Sequence, residues 1–249
     1  MAVDKSRLRS VLKKLLVVPH GGDLADVMTA PQEMLDFLAM LAGLKPVFLL
    51  GRGMDDASWV SGITDLAKSM GLHVERGPHW HGVPSNLPPW IVEVTAKRDG
   101  SKQATYISKA RAIAQEVTAI NTAGGRLAVP VEARLLGYPE CCVASHYDAL
   151  ARVDRLYTLL LRRVGGGHEE RMRQLVVEDV AMAPETVEEL DLARSLTPPK
   201  QIAFTSINAC AVCATDPKSP ARSIGARYRA LAEAVDTSFA EQIAMNAGA

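Results

Sequence analysis

The stretch Leu135 to Tyr147 reads LLGYPECCVASHY, and the fold turns on how it is parsed. Gly-Tyr-Pro stops whatever precedes it. Pro139 is suited to the first position of a new helix, where its missing amide hydrogen is not needed and its φ is already set. From there Val143, Tyr147, Leu150, Val153, Tyr157, Leu160 and Val164 keep helical spacing, so one long helix is expected, ended by Gly165, Gly166 and Gly167. Cys141 and Cys142 then fall in its first turn, where free backbone amides and the positive end of the helix dipole favour negative charge and should acidify both thiols.

Downstream of that helix, segments 168–182 and 184–196 read as helices, and Pro198-Pro199 breaks the pattern. QIAFTSI, from Gln201 to Ile207, reads as a strand, and a final helix follows with Ser219 as its cap and Pro220 as its first residue. Upstream, Gly124-Gly125 marks a boundary, preceded by a helix from about Ser108 to Asn121. PPWIVEVTAKRDGSKQATYIS, from Pro88 to Ser108, reads as two strands of a hairpin around Asp99-Gly100. KPVFLL (45–50) and LHVER (72–76) read as strands joined by a helix that Asp55 or Asp56 caps and Gly71 stops, a βαβ-like unit. Before them lie a helix opened by Pro31, with Met34, Leu35, Leu38 and Leu41 on its buried face, and a terminal amphipathic helix burying Leu8, Leu12, Leu15 and Leu16. The fold class expected is α/β: a small α/β unit with a mixed sheet over 1–125, then a mostly helical unit over 126–249 that carries every cysteine. The two can pack as one compact unit.

The chain has 249 residues, 48% of them hydrophobic, enough to bury a full core. Lys+Arg and Asp+Glu both number 28, so no broad field draws the protein to nucleic acid or to an acidic membrane. The longest apolar run near the N-terminus, Leu15 to Val18, is too short for a signal peptide core or a membrane span. A cytoplasmic protein is expected, with reduced thiols and a small-molecule substrate as partner. In that setting paired cysteines serve as metal ligands or redox groups rather than as structural disulfides.

All four cysteines fall into two tight pairs, Cys141-Cys142 and the CxxC of Cys210 and Cys213, with 67 residues between them. Two such pairs imply one shared site. Adjacent helical residues point about 100° apart, so Cys141 and Cys142 suit a body wider than a single ion. That tilts the choice to an iron-sulfur cluster, a 4Fe-4S centre, over a zinc ion. A structural zinc site and a CxxC thiol-disulfide couple stay open beside it. With three cysteines bound, the cluster would leave one iron open to substrate as a Lewis acid or sulfur carrier, so an enzyme is expected, with an electron or sulfur donor protein as a further partner.

His146, four residues after Cys142, shares its helix face and is the candidate proton donor. His79 and His81, in GPHWHGVP, lie on one side of an extended segment. Arg52, in LLGRGMDD, sits at a strand-to-helix turn where an anion binds. The chain contains no P-loop, no HExxH, no GxSxG and no CxxxCxxC.

RLLGYPECCVASHY with a distant CxxC resembles a poorly characterised group of archaeal and bacterial proteins marked by a Gly-Tyr-Pro-x-Cys-Cys motif, the domain-of-unknown-function family numbered 483. The resemblance is centred on residues 105–148, with the CxxC at 210–213. It implies that Gly137, Tyr138, Pro139, Cys141 and Cys142 form the central signature and that Cys210 and Cys213 are its distal partner. It implies no reaction. A Cys-Cys pair followed by CxxC also resembles the ligand pattern in the cysteine-rich domain of heterodisulfide reductases, where a glycine follows the pair and Val143 stands here.

Overall fold

The fold was taken from a computed structural model, which describes residues 4–18, 30–50, 57–79, 87–98, 103–123, 129–196 and 200–248. Helix α1 (Lys5–Leu15) starts at Asp4, whose carboxylate accepts from the Arg7 amide at 3.0 Å. It buries Leu8, Val11, Leu12 and Leu15 against α2 (Ala30–Ala42). Leu16, expected on that face, is 52% exposed because the helix has already ended.

Strand β1 (Val47–Leu50), α3 (Ala57–Ser69) and β2 (His73–His79) form the expected strand-helix-strand unit. The sheet order is nevertheless β1-β3-β2, because β3 (Gln103–Ser108) inserts between the other two and pairs antiparallel with both. The expected mixed sheet is thus antiparallel at each pairing, with β1 and β2 parallel only at a distance. Tyr106 and Ile107 are fully buried at its centre.

The expected hairpin over Pro88 to Ser108 is half helix. Residues Pro89–Arg98 form α4, since Ile91 and Val94 recur at helical spacing and find an apolar partner in Val176 of α8 (Glu169–Val177). Glu93 and Lys97 add an exposed i,i+4 pair at 2.6 Å. Tertiary burial overrides the β-branched composition here.

Helix α5 (Arg111–Ala123) covers the sheet, and α6 (Val129–Leu136), a helix the sequence reading passes over, leads into Gly-Tyr-Pro. The long helix α7 (Glu140–Val164) ends at Gly165 as expected. Its far end is tied to α9 (Val187–Ser195) by Arg163 Nε on Glu189 at 2.9 Å, and Glu189 also completes a capping box with Thr186.

QIAFTSI is not a strand. Only Lys200–Gln201 (β4) and Asn208–Ala209 (β5) pair, and between them the chain turns through Phe204 at φ 65°. That turn seats on α11 (Pro220–Val235), where a Cβ on Gly225 would lie 3.0 Å from the Ala203 carbonyl oxygen. Ser219 caps α11 as the sequence implies. The final helix is broken at Asp236, whose extended backbone ends α11 and whose carboxylate accepts from the Phe239 amide at 3.1 Å to start α12 (Thr237–Gly248).

The main core joins α1, α2, β1 and α3 to Ile202, Phe204, Tyr228, Leu231 and Phe239. Residues before and after Gly124-Gly125 therefore share one apolar interior. Cys142 and Cys213 belong to it.

Candidate metal centre

The Gly-Tyr-Pro turn works by close approach. Gly137 has φ +72°, and a Cβ there would lie 2.9 Å from Lys45 Cβ, so the residue is left-handed and pressed on the segment leading into β1. With that turn the Tyr138 amide bonds back to the Ala133 carbonyl at 2.9 Å and closes α6. Pro139 lies one place earlier than expected: it is the N-cap of α7, at φ −65° and ψ 136°, and Glu140 is the first helical residue. Its carbonyl takes the amides of Cys142 and Val143 at 2.9 and 3.1 Å.

A polar relay fixes this turn to the rest of the fold. The Tyr138 hydroxyl meets Ser206 Oγ at 2.9 Å, and Ser206 donates a short bond to Asp36. Lys45 Nζ stands 3.3 Å from Asp36 and 5.0 Å from the centroid of the Tyr138 ring. Burial alone would lower the Lys45 pKa, but the Asp36 carboxylate with the Tyr138 and Tyr228 side chains outweighs it and holds the ammonium well above its ordinary value. None of Asp36, Lys45 and Ser206 is marked by the sequence reading. The available signal was a lysine and an aspartate inside runs otherwise apolar, LKPVFLL and MLDFLAML.

The second pair arrives on β5 and the five-residue helix α10 (Ala211–Thr215). Cys210 is the N-cap of α10, and its sulfur accepts from the Cys213 amide at 3.5 Å. Ser219 Oγ donates to the Cys213 carbonyl at 3.0 Å, anchoring the pair to the head of α11.

The four sulfur atoms lie within 4.8 Å of one another. Cys141 and Cys213 approach to 3.6 Å across the two segments. The 100° divergence of Cys141 and Cys142 leaves the first exposed and the second buried, yet their sulfurs converge on one point. Cys210 is partly exposed and Cys213 buried. This arrangement can hold a metal ion.

The expected acidification of the vicinal pair is overturned. Burial pushes the Cys141 thiol up to about 11, helped by its bonds to Cys213 and Cys210, and burial drives Cys142 up further still. Burial also opposes a thiolate at Cys210, but the Cys213 amide and the thiols of Cys213, Cys141 and Cys142 outweigh it and bring Cys210 below its ordinary value. Negative charge in the metal-free cluster is therefore favoured at Cys210.

His146 does share a face with Cys142. Both line a cavity of about 240 Å³, with Asp36 and Glu132 on its other walls, and burial lowers the His146 pKa. Glu132 accepts from the Tyr147 hydroxyl at 2.5 Å. His79 closes strand β2 opposite Gln103. Arg52 and His81 lie outside the described residues. Among the described residues no helix is long and apolar enough to cross a membrane.

No family model, curated protein or solved structure matches the chain.

Proposed function

We propose that Cys141, Cys142, Cys210 and Cys213 hold one tetrahedrally bound ion, zinc by ligand type, that staples the head of α7 to the segment before α11. The carrying observation is the compactness of the sulfur cage, all atoms within 4.8 Å and the nearest pair at 3.6 Å. Four thiolates around zinc, each at about 2.3 Å, stand about 3.8 Å apart by tetrahedral geometry. A 4Fe-4S cluster is a larger body whose ligand sulfurs spread to about 6 Å, so the cage favours the single ion. The Cys213 amide on Cys210 sulfur supports the same reading, since an N–H bond to a thiolate offsets its charge and orients it.

In this role the ion would supply fixation, and the four thiolates that Cys141, Cys142, Cys210 and Cys213 would present to it would leave the site doubly anionic. The protein's own residues supply the frame, with Gly137 and Pro139 aiming the vicinal pair and Ser219 aiming the distal one. The convergence of Cys141 and Cys142 on Cys210 and Cys213, behind the Gly137 turn and the Pro139 cap, supports treating the five signature residues and the CxxC as one unit.

Metal analysis of protein purified without oxygen tests this. One zinc per chain, no colour and no acid-labile sulfide are expected, with zinc lost in single serine variants of each cysteine. Brown protein absorbing near 400 nm, with iron and sulfide in equal amount, would replace the staple by the cluster enzyme. Zinc retained in all four variants would remove the site.

A further inference from the structure

The cavity beside Cys142 is walled by parts remote in sequence. Leu49 comes from β1, Leu136 from α6, Val143 and His146 from α7, Ile207 from the turn before β5, and Asn208 from β5 itself. Its volume is about 240 Å³, and an apolar cavity of about 150 Å³ already takes a benzene ring. Most of the surface it presents is apolar, from Leu49, Leu136, Val143 and Ile207. A small apolar body gains by leaving water for such walls.

The polar groups of the lining fall into two sets. The buried carboxylates are engaged by the protein itself: Asp36 by the Ser206 hydroxyl and by Lys45 at 3.3 Å, Glu33 by Trp59 Nε1 at 2.9 Å, and Glu132 by the Tyr147 hydroxyl at 2.5 Å. The Tyr138 and Ser206 hydroxyls, half-buried, bond each other. That leaves His146 and Asn208. Both are half-buried, neither side chain makes a hydrogen bond among the described residues, and none of their polar atoms is sealed off. Polar groups in that position take a partner from whatever enters the cavity, water or ligand. A neutral imidazole offers one donor and one acceptor, and burial disfavours the charged form of His146.

We propose that this cavity binds a small uncharged alcohol or phenol, its apolar body against the aliphatic walls and its hydroxyl hydrogen-bonded to the imidazole of His146. Asn208 is the second open group on the lining. A charged head group of either sign fits worse. No lysine or arginine lines the cavity among the described residues to meet a carboxylate. An ammonium finds Asp36 already facing Lys45, and Glu33 and Glu132 already receiving donors. A charge stripped of its water without a free counter-charge is costly, whereas a hydroxyl is satisfied by one neutral partner. The proposal rests on the cavity and not on the metal, so the two readings fail separately.

The test uses the full chain, with its metal content measured in the same sample, and four probes sharing one ring: benzyl alcohol, toluene, benzylamine and benzoate, titrated by calorimetry. Saturable binding of benzyl alcohol is expected, about fivefold tighter than toluene, the ordinary gain from one hydrogen bond, and about tenfold or more tighter than either charged probe. His146→Leu, at a half-buried position, should bring benzyl alcohol down to the level of toluene and leave toluene itself within about twofold. Leu49→Phe fills the cavity from β1 and leaves every polar group of the lining in place; it should keep the metal and weaken both neutral probes about tenfold. Either variant decides alone where the other fails to fold. No saturable binding of benzyl alcohol, a charged probe binding as tightly, His146→Leu keeping the preference over toluene, or Leu49→Phe binding as the parent does would each overturn the proposal, whatever the metal proves to be.

Discussion

The two cysteine pairs reach one point from unlike settings. Cys141 and Cys142 stand at the head of a 25-residue helix, behind a turn that Lys45, Asp36 and Ser206 hold from below. Cys210 and Cys213 stand on a five-residue helix after a two-residue strand, with Ser219 and the Arg222 bond to the Ala214 carbonyl, both 3.0 Å, as their ties to α11. The fold places the first pair, and local hydrogen bonds place the second. An ion at the centre therefore has more to add to the second.

Removing the proposed ion gives the largest expected effect. Chelation under reducing conditions should lower unfolding stability by about 4 kcal/mol or more, since a ligand bound a thousandfold above its dissociation constant contributes that much to the folded state. Hydrogen exchange should localise the loss: amides of 200–216 lose protection while those within α7 keep most of theirs. Equal loss in both segments would break the contrast between a pair set by the fold and a pair set by the metal.

Next in size is the support under the vicinal pair. Lys45→Met leaves Asp36 buried without its cation, and breaking a buried pair from one side costs about 3–5 kcal/mol. Urea denaturation of the metal-loaded variant measures this. A cost under about 1 kcal/mol would mean that the turn stands without the relay, and that the two pairs are supported alike.

The sequence shows the vicinal half of the site far better than its surroundings. Gly137, Tyr138 and Pro139 are legible because each has a backbone consequence, a left-handed turn or a fixed φ, that declares itself locally. The long helix is legible because seven apolar positions repeat over it. The CxxC is legible as chemistry but not as structure. QIAFTSI has a strand's composition, and only the seating of its turn on Gly225 of α11 decides otherwise. The relay of Lys45, Asp36 and Ser206 joins residues up to 170 positions apart, so no window of sequence contains it. The same holds for Pro88 to Ser108, where α8 supplies the apolar partner that makes one half helical.

A smaller effect is expected at the hydrogen bond that links the two lead-ins directly. Tyr138→Phe removes the hydroxyl bound to Ser206 at 2.9 Å and should cost about 1 kcal/mol, the ordinary net worth of such a bond. Ser206 keeps its bond to Asp36, so the variant should fold and retain its ion. Faster release of the ion to a competing chelator, beside that small loss of unfolding stability, is the sharper readout, because the bond joins the segments that carry the opposite faces of the cage.

The smallest effect concerns the thiols once the ion is gone. Exposure alone makes Cys141 the first to react with iodoacetamide, since it is the most open of the four. Reactivity follows the thiolate, however, and the thiolate is favoured at Cys210, held below its ordinary value of 9.0, and disfavoured at Cys141, raised to about 11. The two thiols stand at least two pKa units apart, about a hundredfold in thiolate near neutrality, of which the weaker nucleophilicity of the more acidic thiol takes back about a factor of ten. In reduced, metal-free protein at about pH 8, peptide mapping should find Cys210 modified roughly tenfold faster than Cys141, with the gap closing as the pH approaches that of the Cys141 thiol. The sign is decisive: a lowered group ionises first on raising the pH, and a raised one last. If Cys141 leads at about pH 8, the free amides at the head of α7 govern the cluster after all, and the vicinal pair rather than Cys210 carries its charge.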